Sequence, residues 1–186
     1  ITLQYIPISF DVAFLRIKQD AIKLVHYQYA FFIHVYSSIF VLIAGIPQFS
    51  QFVRTKYRAV HRKLGMLYIA LVLFVASPSG FIMALYANGG MGSKISFIIQ
   101  AVLWFAFTYK AYQYARQKKW KLHENFMYRS YALTLSAISL RLLKWIIVAT
   151  LALPPMDTYR IVSWAGWILN LIIIEIYLNK RTVLEK

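Results

Sequence analysis

The sequence predicts an all-α protein: a polytopic transmembrane helical bundle with five visible spans and a preceding amphipathic surface helix. Three observations carry this reading. Five apolar stretches each reach about the 20 residues that a helix needs to cross a hydrocarbon core roughly 30 Å thick. Of the 186 residues 60% are hydrophobic and only 15% charged, which leaves too little polar surface to clothe a globule in water. The lysines and arginines lie in the connectors between the stretches, and most of them fall on one side.

The elements follow in order. Phe10, Phe14, Ile17, Ala21 and Leu24 recur at helical spacing, with Asp11, Lys18, Asp20 and Lys23 between them. Residues 1–26 are therefore expected to hold an amphipathic helix lying on the membrane or on the bundle. The transmembrane domain is set at 27–179, with spans near 27–48, 64–87, 95–114, 127–153 and 159–179, and a tail over 180–186. All are helical, because lipid leaves an unclosed chain no other way to satisfy its backbone. Ala87-Asn88-Gly89-Gly90-Met91-Gly92-Ser93 is a glycine-rich turn, and Leu153-Pro154-Pro155-Met156-Asp157 is a stop followed by a cap. Ser77-Pro78-Ser79-Gly80, inside the second span, predicts a kink. The chain opens at Ile1 rather than Met, and its first ten residues read as the tail of an earlier span.

Orientation follows from charge. Arg54, Lys56, Arg58, Arg62 and Lys63, then Lys110, Arg116, Lys118, Lys119, Lys121 and Arg129, and finally Lys180, Arg181 and Lys186 share one side. The other side holds Arg16, Lys18, Lys23, Lys94 and Arg160, partly balanced by Asp11, Asp20 and Asp157. The positive-inside rule makes the first group cytoplasmic, with the C-terminus inside. The net charge of +15 is thereby assigned to membrane lipids and not to nucleic acid. Arg54, Lys56, Arg58, Arg62, Lys118, Lys119 and Lys121 are expected to touch anionic headgroups.

Ionisable groups at membrane depth are the candidates for chemistry. His34 lies fourteen residues from Gln48, and Arg141 twelve beyond Arg129, which places both about 20 Å above the basic side. Asn170, nine residues before Asn179, is about 13 Å up. These depths predict a buried polar cluster of His34, Arg141 and Asn170. It serves either as a site for an anionic group or quinone carbonyl, or as a structural knot joining helices. Lys144 is expected to snorkel outward. Nearer the basic side, His61 opens the second span, His123 precedes the fourth, and Glu175 sits in the last turns of the fifth. Two histidines on separate helices can hold a b-type haem axially, or with Glu175 a divalent metal. The alternative is that they meet headgroups or simply pack. His26 is a boundary residue, and the tryptophans Trp104, Trp145, Trp164 and Trp167 belong to interface belts and packing.

The absence of cysteine excludes disulfides, thiolate metal sites and a cysteine nucleophile. Gly89-Gly90-Met91-Gly92 opens no basic helix and is not a phosphate loop. The sequence contains no HExxH pattern, nucleophile elbow or paired carboxylates.

His61-Arg62-Lys63-Leu64-Gly65, the run from Met127 to Thr134 leading to Arg141, and Trp164-Ala165-Gly166-Trp167-Ile168-Leu169-Asn170 form a combination that resembles a family of bacterial integral membrane proteins, domain of unknown function 2306. Phe32-Ile33-His34 and Gly89-Gly90 belong to the same likeness, which covers residues 29–179. The family favours a His-Arg pair where this chain has His123-Glu124. The resemblance implies a polytopic inner-membrane protein and supplies no activity, substrate or cofactor. The expected function is a non-catalytic accessory or scaffold subunit of a larger membrane complex. The alternative is a small redox protein carrying b-type haem or quinone.

Overall fold

The computed structural model describes residues 2–184, and among them no strand occurs. The chain forms short helix α1 (Gln19–Ile22), then α2 (Val25–Gly45), α3 (Gln51–Lys56), α4 (Arg58–Leu71), α5 (Ser77–Leu85), α6 (Met91–Arg116), α7 (Trp120–Leu151) and α8 (Pro155–Leu184). Five helical stretches among the described residues are long and apolar enough to cross a membrane: Val25–Phe49, Arg58–Leu85, Met91–Arg116, Trp120–Leu151 and Pro155–Arg181. They are the five stretches that hydropathy predicts. The last helix runs on to Leu184, so most of the expected tail is helical. Ile1 and Lys186, used in reading the chain's start and its charge asymmetry, lie outside the described residues.

The helices gather into two compact units, Ile1–Tyr86 and Ala87–Lys186. In the first, α2 runs antiparallel to a continuous second span in which α4 and α5 are joined by a π-helical turn, Val72–Ala76. The sequence explains that turn. Pro78 has no N–H, so the carbonyl of Phe74 loses its α-helical donor, and the preceding residues widen to i→i+5 bonding. The kink expected from Ser77-Pro78-Ser79-Gly80 thus takes the form of a π-turn just before the proline. The interior of this unit is aromatic: Tyr5, Leu15, Ile22, Tyr27 and Phe31 are buried together, with Tyr5 edge-on to Phe31 at 5.1 Å.

Residues 10–24 correct the sequence reading. They form a 3-10 turn, Ala13–Ile17, and the four-residue α1, interrupted at Lys18, and not one amphipathic helix. Phe10, Ile17 and Leu24 are exposed, while Leu15 and Ile22 are buried. Lys18 is the cause. Its side chain is itself buried and its ammonium donates to the Tyr86 carbonyl, so the apolar period restarts out of phase beyond it.

The second unit is made of three long helices, with α7 antiparallel to both α6 and α8. Gly89 and Gly90 take positive φ values of 85° and 82° to enter α6, a conformation that side chains resist. At the other end of α6, Lys118 N–H donates to Ala115 and Lys119 N–H to Tyr114, the 5→2 and 6→1 pair of a Schellman cap. Lys118 holds the left-handed position there, at φ 57°. Between α7 and α8, Gly166 permits close approach: a Cβ there would lie 2.9 Å from Leu140 Cβ and 3.1 Å from its Cα. Small residues at such crossings are how membrane helices gain dispersion contact without a solvent-driven hydrophobic force.

Candidate functional site

In the first unit, His34 on α2 reaches the π-turn. Its Nδ1 lies 2.8 Å from the Ala76 carbonyl. A carbonyl only accepts, so Nδ1 carries a proton and donates. Ser79 Oγ lies 3.4 Å from the same Nδ1 and donates to the Val75 carbonyl at 2.6 Å. The ring rests against Gly80, where a Cβ would meet His34 Cε1 at 2.9 Å. The π-turn, Ser79 and Gly80 therefore form a cradle fitted to this imidazole. His61 occupies the first turn of α4, half-buried, its N–H bonded to the Tyr57 carbonyl at 3.0 Å. His26 meets the Tyr86 hydroxyl at 2.6 Å, at the end of its helix as expected.

In the second unit, Asn170 ties α8 to α7. Its Nδ2 donates to the Ala132 carbonyl at 3.0 Å, and its Oδ1 accepts from Ser139 Oγ at 2.9 Å. Arg141 does not join Asn170 in a buried cluster. It is exposed, and its Nη1 donates to the Ala137 carbonyl one turn back on its own helix at 2.7 Å. The helical angle explains this. Arg141 is nine residues beyond Ala132, about 180° around a 3.6-residue helix, so it faces away from α8. Depth along a helix was readable; rotation about it decided the neighbours.

His123 directs Nδ1 at the Ala111 carbonyl on α6, 2.8 Å away, so this nitrogen donates. Glu175 is engaged by Arg129 on α7 in a two-pronged pair, with Nη2 to Oε2 at 2.8 Å and Nε to Oε1 completing it. The Arg129 guanidinium also lies over the Phe126 ring at 5.0 Å. Glu124 pairs with Arg181 at 3.0 Å. Among the described residues no three His, Cys, Asp or Glu side chains gather in a group able to hold a metal. Sequence reasoning treated Arg129 only as a connector cation. One signal would have found its partner: Arg129 is nine residues from the start of α7 and Glu175 nine from the end of α8, so antiparallel packing puts them level.

A buried polar ladder between α6 and α8 also went unread. Trp167 Nε1 donates to Ser96 Oγ at 2.9 Å, Ser96 Oγ to the Ser163 carbonyl at 2.7 Å, and Ser163 Oγ to Ser93 Oγ at 3.2 Å. Trp167 and Trp104 are packing residues, both buried, whereas Trp145 is 70% exposed. The seven basic residues assigned to headgroups, Arg54, Lys56, Arg58, Arg62, Lys118, Lys119 and Lys121, are all exposed.

Residues 31–178 match the family described as predicted membrane protein, DUF2306. The chain belongs to this family. The DUF2306 match reaches all five spans and includes His34, His61, His123, Arg129, Arg141, Asn170 and Glu175, and leaves the opening turns outside it. No curated protein and no solved structure matches the chain.

The most distinctive surface of this DUF2306 member is the second half of α7. The span Trp120–Leu151 has 17% of its most apolar stretch buried, the lowest share of the five spans among the described residues. From residue 141 to 151 only Leu143 and Ile147 are even partly covered. Arg141 and Lys144 lie on this face beside Leu142, Trp145 and Val148, all exposed.

Proposed function

We propose that the protein is a non-catalytic integral membrane protein that serves as an accessory or scaffold subunit of a larger complex in the inner membrane. The exposed second half of α7 is the observation that supports this reading. Its exposed Leu142, Trp145 and Val148 offer a packing face for a helix of a neighbouring membrane subunit. The polar groups deeper in the second unit (Asn170, Ser139, Arg129, Glu175 and the serine ladder) are already used to join its own helices, which suits a rigid packing element. In the same reading the basic connectors face the cytoplasm, and Arg54, Lys56, Arg58, Arg62, Lys118, Lys119 and Lys121 rest on anionic headgroups. The test is extraction in a mild detergent followed by mass determination of the intact assembly. A second membrane polypeptide at fixed stoichiometry is expected; a species containing only this chain and lipid contradicts the proposal.

A second reading, a small redox protein with b-type haem, is favoured by one observation. The Nδ1–H of His123 is held by a backbone carbonyl, which orients Nε2 as an axial ligand requires. A Soret band in the purified protein that is lost in His123→Ala supports it, and a spectrum unchanged by that substitution rejects it.

A further inference from the structure

We propose that the groove between the first turns of α6 and α8 holds one phospholipid with an ethanolamine headgroup, its phosphate on Arg160 and its ammonium on Asp157. The site lies at the end of the second unit away from the clustered basic connectors, and it is independent of the subunit reading above.

Gly89, Gly92, Ser93, Arg160, Ile161 and Trp164 line a groove of about 410 Å³. Gly92 keeps it open. Unlike Gly89 and Gly90 it is not at positive φ, and a Cβ there would meet nothing within 4 Å. Neither conformation nor packing within the chain asks for glycine at this position, where it weakens a helix relative to alanine. The missing side chain leaves room for a molecule from outside the chain.

Depth sets the layers of that molecule. Helix α8 has 30 residues, about 45 Å, the thickness of a bilayer with its headgroups. Counted from Pro155, Asp157 is about 3 Å in, Arg160 about 8 Å and Trp164 about 14 Å. Asp157 thus stands in the headgroup layer, Arg160 at its lower edge, and Trp164 at the top of the hydrocarbon, where an indole suits the boundary. An apolar furrow continues below. Ile95 and Ile99, three and seven residues beyond Gly92 and so on the same side of α6, are exposed, and they give an acyl chain its path.

Charge decides the headgroup. Arg160 Nη1 donates to Asp157 Oδ1 at 3.1 Å, and its Nε to the Gly89 carbonyl at 3.2 Å. Both side chains are still more than half exposed, at 59% and 53%, so the guanidinium keeps N–H donors for a phosphate and the carboxylate keeps lone pairs for an ammonium. A purely anionic headgroup is repelled by Asp157, whereas one carrying phosphate and a primary ammonium finds a partner for each. Asp157 lies farther out than Arg160, the order in which ammonium and phosphate follow the glycerol. Lys94 is two residues beyond Gly92, about 200° around α6, and faces away from the groove.

The experiment uses the whole chain in nanodiscs of equal parts phosphatidylethanolamine, phosphatidylcholine and phosphatidylglycerol, with a photo-crosslinking amino acid at Ile161 and the lipid adducts counted by mass spectrometry. Phosphatidylethanolamine adducts should exceed each of the others about three-fold, the effect of an exposed charge pair. Arg160→Gln should abolish that excess, and so should Gly92→Leu, which fills the groove, with its unfolding temperature in detergent unchanged. Asp157→Asn leaves a lone cation and should move the preference to phosphatidylglycerol, a switch that misfolding does not produce. Equal adducts from the three lipids, an excess of phosphatidylglycerol in the unaltered chain, or a phosphatidylethanolamine excess that survives Arg160→Gln or Gly92→Leu overturns the proposal. So does loss of the adduct on adding soluble phosphoethanolamine, which assigns the groove to a free amino phosphate.

Discussion

The two units solve the same problem differently. Polar side chains inside a membrane must find partners, and the unit of residues 2–86 finds them in irregular backbone: Pro78 forces a π-turn, and His34 bonds the Ala76 carbonyl it presents. The unit of residues 87–184 keeps three regular helices and pairs side chain with side chain, as in Ser139 with Asn170, Arg129 with Glu175 and Trp167 with Ser96. An irregular turn can adjust when a neighbour changes. Straight helices in contact along their backbones cannot, so the second unit should be the more brittle.

Substitution of the two close-contact glycines breaks or supports that contrast most directly. In Gly166→Ala the new methyl meets Leu140 Cβ, Cα and N within 3.3 Å, and backbone has to move. A loss of about 1–3 kcal/mol is expected, read as a lowered unfolding temperature in detergent. In Gly80→Ala the methyl meets only the His34 ring, which can tilt, and a loss of about 1 kcal/mol or less is expected. Equal losses would remove the distinction between the units.

Glu175→Gln comes next. It leaves Arg129 with a neutral acceptor in place of a two-pronged carboxylate, and because both partners are partly exposed the loss should be about 1 kcal/mol. Arg129→Lys should cost nearly as much, since an ammonium cannot reproduce the fork. His34→Phe removes one bond to Ala76 and should cost about 0.6 kcal/mol, the average for polar contacts between membrane helices. Its clearer readout is faster amide exchange confined to the π-turn. Lys118→Gly is the smallest and has the opposite sign. Relief of the left-handed strain, offset by the greater freedom of glycine when unfolded, leaves a gain of about 0.5 kcal/mol.

The contrast also explains what was legible. The five spans could be read because hydropathy over about 20 residues is a property of the segment alone. Asn170 and Glu175 could be singled out because a polar group in an apolar run is rare. Their partners depended on rotation about the helix, and neither depth nor composition contains it. Arg141 has the right height to meet Asn170 and the wrong azimuth, while Arg129, set aside as a connector charge, has both for Glu175. The amphipathic period over residues 10–24 failed for another reason. One buried lysine bonded to a distant carbonyl, Lys18 to Tyr86, outweighed the local pattern. A proline signal predicted a kink, and the structure met the same missing donor with a wider turn.

The account stands on the claim that another membrane polypeptide covers the second half of α7. The most direct test places a photo-crosslinking amino acid at Trp145, and for comparison at buried Leu133, in cells expressing the whole chain. Trp145 should yield a discrete crosslink to a different integral membrane protein, and Leu133 crosslinks within its own chain only. Crosslinks from Trp145 that reach lipid alone, or residues of this same chain, would contradict it.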